Sequence, residues 1–329
     1  MLVAHLGHLV ERDQVGRDHQ VHGVPLRRRF AHDRTIRTVN DFGRYGIWIS
    51  RKHWPDDAGQ TASAAQELES LGFGTIWIGG SPPDDLLLVE ALLAATSTLK
   101  VGTSIVDIWR SDGARLAASH ARIRAQFPGR FYLGVGSGHA PTAEAMGELY
   151  IKPLTRLRDF LTDKLRDVPR DERLVAALGP NALAAARDLT AGALPYLMPP
   201  AHTAQAREIL GPDRLLIPEQ KVYLGTDRDQ AHQVARRMAR TYLAMPNYTK
   251  ALSRFGLNPS DLTGEGSERF LDQAVIWGSD DDIRAGLNAH LDAGADQVAV
   301  QALPLDPTDH LPRSEWRRLA AILMPVSES

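Results

Sequence analysis

From about Asp41 onward the chain alternates short apolar runs with amphipathic stretches, almost to its C-terminus. Tyr45–Ser50, Thr75–Gly79, Val101–Val106 and Phe131–Val135 are short, largely apolar and rich in β-formers, the composition of strands buried on both faces. Helical spacing falls between them: Thr61–Leu71, closed by Gly72; Asp84–Ala95; and Ala114–Phe127, stopped by Pro128-Gly129. Further strands are predicted at Arg173–Leu178, Ala193–Met198, Lys221–Leu224 and Val298–Ala302. Helices are predicted from Asn181, from Thr203, over Asp227–Leu243, and from about Ser314. A long helical stretch is predicted from Pro246 through His290, ending at Gly294. Strands alternating with helices in this way imply βα units and a parallel sheet. Eight strand candidates are the number that closes a (β/α)8 TIM barrel. An open doubly wound sheet is the alternative, and the regular spacing of the eight units favours closure. Between Gly225 and Asp296 a helical insertion precedes the last strand.

Residues 1–41 stand apart from a barrel domain over 42–329. They hold five of the chain's twelve histidines, the run Arg27-Arg28-Arg29, and no sustained period of 2 or 3.6. His19-x-x-His22 lacks the pattern of a helical zinc site, so no metal is assigned. A solvated, poorly ordered extension is expected there.

Composition removes several function classes. Hydrophobic residues make up 43% and charged residues 24% of the 329, enough for a sizeable core. A net charge of −2 gives no electrostatic footprint for nucleic acid or an anionic membrane. With no cysteine there are no disulfides, thiolate nucleophiles or cysteine-ligated metals. No apolar run approaches the roughly 20 residues of a membrane helix, and residues 1–20 lack a secretory signal pattern. A cytoplasmic protein acting on a small-molecule substrate, as a homodimer, is the expectation.

On a barrel, chemistry sits just past the strand C-termini. Ser50, Arg51, Lys52, His53 and Trp54 follow the first strand, and Gly79, Gly80 and Ser81 the second. Asp107 and Trp109 follow the third, and Gly136-Ser137-Gly138-His139 the fourth. Glycines there let backbone approach a ligand or adopt positive φ, and His139 is the first titratable side chain beyond them. That segment alone reads equally as a tight turn bearing a surface histidine. Gly179-Pro180-Asn181 follows the fifth strand, where exposed N–H groups would suit a phosphate, although a plain helix start reads the same. Paired carboxylates are missing from these rims, and neither Gly-x-x-x-x-Gly-Lys-Ser/Thr nor Gly-x-Gly-x-x-Gly ahead of a helix occurs.

Gly102-Thr103-Ser104-Ile105, with Phe131-Tyr132-Leu133-Gly134-Val135-Gly136-Ser137-Gly138 about thirty residues on, resembles the luciferase-like monooxygenase superfamily. Within it the chain is most similar to the branch using the deazaflavin coenzyme F420. Ala177-Leu178-Gly179-Pro180, Pro195-Tyr196-Leu197 and Gly294-Ala295-Asp296-Gln297-Val298 fall where that branch has similar segments. The resemblance implies a barrel binding the flat coenzyme across its C-terminal mouth, with a non-prolyl cis peptide at Ser104-Ile105 supporting the ring. It places Asp107, Gly136, Ser137 and Gly138 near the coenzyme, and the backbone of Ala177, Leu178 and Gly179 on its phosphate. Sugar-phosphate dehydrogenases of the branch carry a glutamate where this chain has His139, and an Asp-His pair where it has Gly79-Gly80. The implied activity is hydride transfer between the coenzyme and a small organic substrate. Trp48, His53 and Trp109 are the expected substrate contacts, with His139 giving or taking the proton. An FMN-dependent monooxygenase is the alternative enzyme, and a non-catalytic flavin-binding protein the alternative of another class.

Overall fold

The computed structural model describes residues 42–306 and 310–324, so the extension expected over 1–41 lies outside the described residues. Eleven strands occur among them: β1 (Tyr45–Ser50), β2 (Thr75–Gly79), β3 (Lys100–Thr103), β4 (Val106–Asp107), β5 (Phe131–Gly136), β6 (Arg173–Val175), β7 (Gly192–Ala193), β8 (Leu215–Leu216), β9 (Glu219–Tyr223), β10 (Val275–Trp277) and β11 (Val298–Ala302). They form one sheet in the order β10-β9-β11-β1-β2-β3-β5-β6-β7-β8, with β4 on β5, and every ladder is parallel.

The sheet curls on itself, because β8 and β9 are two halves of one extended run. On one edge of that run Ile217 N–H donates to Ala193 O (3.0 Å) and Glu219 N–H to Pro195 O (2.8 Å). On the other edge Asp296 N–H donates to Leu216 O and Ala299 N–H to Pro218 O, both at 2.9 Å.

Side chains alternate across the strands, and so build two cores. Ile47, Ile49, Ile76, Ile78, Leu133 and Val135 point outward into the layer under the helices. Trp48, Trp77, Tyr132, Leu174, Leu194 and Ile217 point inward and fill the space the sheet encloses. Near the N-terminal ends of the strands Trp77 donates its indole N–H to Gln297 Oε1 at 2.7 Å, which seals that end. A third cluster joins Leu197, Met198 and Tyr223 to the helices Arg228–Leu243, Pro246–Leu252 and Glu268–Ala274, which stand between β9 and β10.

Several predicted elements shift. The third predicted strand is two pieces, β3 and β4, separated by a cis peptide at Ser104-Ile105, the bond the family resemblance implied. The strand predicted over Ala193–Met198 reduces to Gly192–Ala193. Pro195 has no N–H to give a ladder, and beyond it only Tyr196 bridges to Glu219. The helix predicted from Asp84 begins at Leu87, after Leu86 turns through φ 55°. The predicted helical stretch from Pro246 contains β10, a three-residue strand too short to show a period of its own. β8 escaped prediction because Pro218 splits its apolar run from β9.

Candidate active site at the strand C-termini

One cavity of about 1110 Å³ opens at the C-terminal ends of the strands. It gathers most of the residues singled out by position: Trp48, His53, Ser104, Ile105, Asp107, Gly136, Ser137, Gly138, His139, Leu178 and Gly179 all line it. Ala177 and Trp109 do not. Ala177 is 1% exposed and faces the outer core, whereas its neighbour Ala176 faces the cavity, as strand alternation requires. Trp109 sits behind the glycine loop, where its indole N–H donates to Ser137 O at 2.7 Å. From the same side Tyr150 donates its hydroxyl to Gly138 O at 3.1 Å, so two aromatic side chains pin the loop.

Glycine is obligatory at two rim positions. Gly138 has φ 53°, and a Cβ there would lie 2.1 Å from Asp107 Oδ2. At Gly79 a Cβ would lie 1.8 Å from the Trp48 ring, so an aspartate at this position cannot coexist with Trp48 as placed. Trp48 itself is 7% exposed, and its indole N–H has no partner among the described residues. A buried donor facing a cavity leaves a ligand acceptor to satisfy it.

Asp107 and His139 form the titratable pair of the rim. Asp107 Oδ1 accepts the Trp109 N–H at 2.9 Å, and its own N–H donates to Ser81 Oγ at 3.0 Å. Burial pushes the Asp107 carboxyl up, opposed by the Trp109 N–H and by the charge His139 carries when protonated. Burial pushes the His139 imidazole down, opposed by Asp107 and by a hydrogen bond with the Asn247 side chain. His139 is therefore neutral near pH 7 and able to accept a proton. Its ring centroid lies 5.7 Å from that of Tyr248.

The opposite wall is aromatic and comes from residues the sequence reading did not select. Tyr196 and Tyr242 share a hydrogen bond at 2.7 Å between their hydroxyls, and Tyr196 also donates to Gln301 Oε1 at 3.2 Å. Beneath Tyr196 lies an ion pair from β9: Lys221 Nζ is 2.8 and 2.9 Å from the two Glu219 oxygens. Lys221 is 1% and Glu219 2% exposed, and Lys221 Nζ stands 3.8 Å from the Tyr196 ring centroid. Burial pushes the Tyr242 phenol up to about 12 and holds Tyr196 and Tyr248 well above their ordinary value. The one legible signal was two opposite charges at i and i+2, beside the apolar Val222 and Tyr223, which places both on one face of a strand.

Charge along the cavity is lopsided. Lys52, Arg110, Arg237, Lys250 and Arg254 line it against a single carboxylate, Asp107. None of the five forms an ion pair with a described carboxylate within the distances of the pairs found elsewhere in the molecule. Arg254 Nη1 would be 3.7 Å from a Cβ on Gly179, the residue that opens the helix Pro180–Leu189. A helix N-terminus with a guanidinium beside it is suited to a phosphate. The described residues contain no cluster of three or more metal-ligating side chains, and no helix long and apolar enough to cross a membrane.

Fold and cavity place the chain among α/β proteins that take a ligand at the C-terminal ends of a parallel sheet. Residues 42–163 match the family model of the luciferase-like monooxygenases. The chain is similar to a 5,10-methylenetetrahydromethanopterin reductase of Methanolobus tindarius, 23% identical over 75% of this chain and 90% of the relative. An F420-dependent glucose-6-phosphate dehydrogenase of Kineococcus radiotolerans is 31% identical over a shorter region, 30% of this chain and 32% of the relative. The coenzyme F420-dependent tetrahydromethanopterin reductase of Methanopyrus kandleri shares the fold. Its TM-score is 0.67, at 16% identity over 86% of this chain and 98% of that one.

Proposed function

We propose that this protein is an oxidoreductase that passes a hydride between the deazaflavin coenzyme F420 and a small organic substrate. The observation that carries the reading is the cavity: five cations to one carboxylate, in a chain of net charge −2, at the end of the sheet where such folds act. Relatives in sequence and in fold bear the names of F420 enzymes, which favours the deazaflavin over FMN. The curled sheet is read as a (β/α)8 barrel, with the helices between β9 and β10 as its insertion.

The residues present fit the coenzyme. Ser104 and Ile105 would support the ring, Gly136, Ser137 and Gly138 would pass beside it, and the Leu178–Gly179 turn with Arg254 would hold its phosphate. When bound, the coenzyme supplies or removes a hydride at its ring C5. The chain does the rest. His139, neutral in its buried setting, takes the proton released when the substrate is oxidised and returns it in the reverse direction. Asp107 makes the protonated imidazole less costly. Trp48 and His53 border the substrate, and Trp109 serves by fixing the glycine loop.

A homodimer in the cytoplasm completes the proposal. Leu149 and Ile151, 74% and 64% exposed beside the cavity mouth, suit a subunit contact. Equilibrium titration of the purified protein with F420 and, separately, with FMN tests the cofactor. Tighter F420 binding is expected, and micromolar FMN binding without F420 binding would overturn the reading.

A further inference from the structure

The buried Lys221–Glu219 pair and the two phenols above it are not used by the mechanism just described. Buried ion pairs seldom add stability over an apolar replacement, so the position of this one is informative. It stands on the strand that closes the curl of the sheet, and its ammonium rests against the face of Tyr196. Glu219 Oε2 also accepts the Leu197 N–H at 3.2 Å, which ties the pair to the segment carrying Tyr196. The pair thus fixes one aromatic ring from below and behind. Tyr196 then passes that order to Tyr242 through the 2.7 Å hydroxyl contact.

We propose that the Tyr196–Tyr242 hydroxyl pair binds the oxygen of the substrate, and that the substrate is a carbonyl compound or the corresponding alcohol. This deepens the oxidoreductase reading above and rests on it for the direction of hydride flow. Tyr196, Tyr242 and Gln301 all line the cavity, as does His139. Ring contacts connect them: Tyr242 to Tyr248 at 5.1 Å, then Tyr248 to His139 at 5.7 Å. Ring contacts thus link the hydroxyl pair on one side of the cavity to the proton-handling group on the other.

The hydrogen-bond chain can run in either direction, and this defines the ligand. With Tyr196 donating to Gln301 Oε1, Tyr242 donates to Tyr196 and keeps lone pairs free to accept an alcohol O–H. With the Gln301 amide turned to donate, Tyr196 donates to Tyr242, and the Tyr242 proton is free for a carbonyl oxygen. One pair of phenols so serves both redox states of the same carbon without changing charge. Burial keeps both phenols protonated across the working range, so they act as hydrogen-bonding groups and not as the acid. In the oxidising direction the alcohol O–H turns from Tyr242 to neutral His139 as the phenol chain reverses, so that Tyr242 donates to the oxygen while the alcohol carbon would give its hydride to the oxidised coenzyme. The C–H and O–H bonds break, the C=O π bond forms, and imidazolium is left to lose its proton to water. Tyr242 holds the oxygen throughout and transfers nothing.

The test uses small probes on the full chain, with and without coenzyme: benzaldehyde, benzyl alcohol, and styrene as the oxygen-free control. Dissociation constants come from calorimetry, and the benzaldehyde C=O stretch from difference infrared spectra. The wild type should prefer both oxygen-bearing probes to styrene, and the carbonyl stretch should shift to lower frequency on binding. Tyr242→Phe should weaken benzaldehyde and benzyl alcohol by about 3- to 10-fold, abolish the shift, and leave styrene unchanged. Gln301→Met removes the acceptor of Tyr196 and leaves both phenols in place. It should tilt the preference toward benzaldehyde over benzyl alcohol. Absence of any oxygen preference in the wild type, or its full retention in Tyr242→Phe, would overturn the proposal. F420 titration of the same samples separates the two readings: failure of coenzyme binding removes the cofactor assignment and leaves the probe comparison standing.

Discussion

The cavity has two unlike sides. On the side of β1 to β5, each site residue lies within a few positions of the end of its own strand: Ser50 to His53, and the glycine-marked Gly79 to Ser81 and Gly136 to His139. On the other side, the wall is collected from Tyr196, Tyr242, Tyr248 and Gln301, spread over more than a hundred residues of sequence, and seated on a buried ion pair. The first side is encoded locally, by backbone that must bend and approach closely. The second is encoded by packing, by which helix of the segment between β9 and β10 falls over which strand. A local site tolerates little change in backbone but much in its surroundings. A packed wall should behave the opposite way, and that contrast can be broken experimentally.

The largest expected effect falls on the local side. His139→Ala should lower kcat roughly 10²–10⁴-fold if the imidazole moves the proton in the transition state, with F420 affinity near wild type. His139→Gln should be similarly slow. In the oxidising direction the wild-type rate should fall as pH drops through the His139 pKa, which burial sets below the ordinary 6.5. That acid limb should vanish from the pH–rate profile of His139→Gln. Near-normal turnover in both variants would make the histidine structural.

On the packed side, Lys221→Met should cost about 3–5 kcal/mol in denaturant unfolding, because Glu219 is left buried and uncompensated. Adding Glu219→Gln should restore most of that stability while the oxygen preference of the phenols remains disturbed. A single variant as stable as wild type would show that the pair is not sealed from water. Gly79→Ala should cost about 1–3 kcal/mol, since its Cβ enters the Trp48 ring and the indole must move. Tryptophan fluorescence and F420 titration should both report the displacement.

The effect that is smallest at neutral pH lies away from the cavity. His290 is fully buried, with Nδ1 2.8 Å from Thr203 Oγ1 and Nε2 3.0 Å from Gln220 Oε1, and burial lowers its pKa to about 4. The folded state holds it neutral, whereas the unfolded chain binds its proton near 6.5. Its contribution to stability is thus present above pH 6.5 and is lost as pH falls toward about 4. The slope from this one group is at most about 1.4 kcal/mol per pH unit. Unfolding of His290→Gln followed over the same range should lack that part of the slope.

The same division explains what could be read from the chain. Strands β1, β2, β5 and β11 were legible because each is an apolar run bounded by turn residues, and the rim positions after them followed at once. His139 and Asp107 were legible for that reason, as first titratable groups beyond a strand end. Trp109 does not line the cavity, since strand counting places a residue at the rim without saying which way its ring turns. Here it turns behind the loop, to Ser137 O. Ala177 turns its side chain to the outer core, Ala176 taking the cavity face, and the role expected of it is through its backbone. β8 and β10 are too short to carry a period, and nothing local marks Tyr242 or Tyr248 as neighbours of Tyr196. Such contacts exist only once the helices after β9 have packed.

The central claim is hydride transfer through a deazaflavin, and label transfer tests it most directly. The protein would be given reduced F420 deuterated at C5 and benzaldehyde under anaerobic conditions, and the benzyl alcohol formed would be examined by mass spectrometry. The account predicts one deuterium on the carbinol carbon, loss of that transfer in His139→Ala, and no oxygen uptake when air is admitted. Alcohol carrying no label, or oxygen consumption supported by reduced FMN in place of F420, would contradict it.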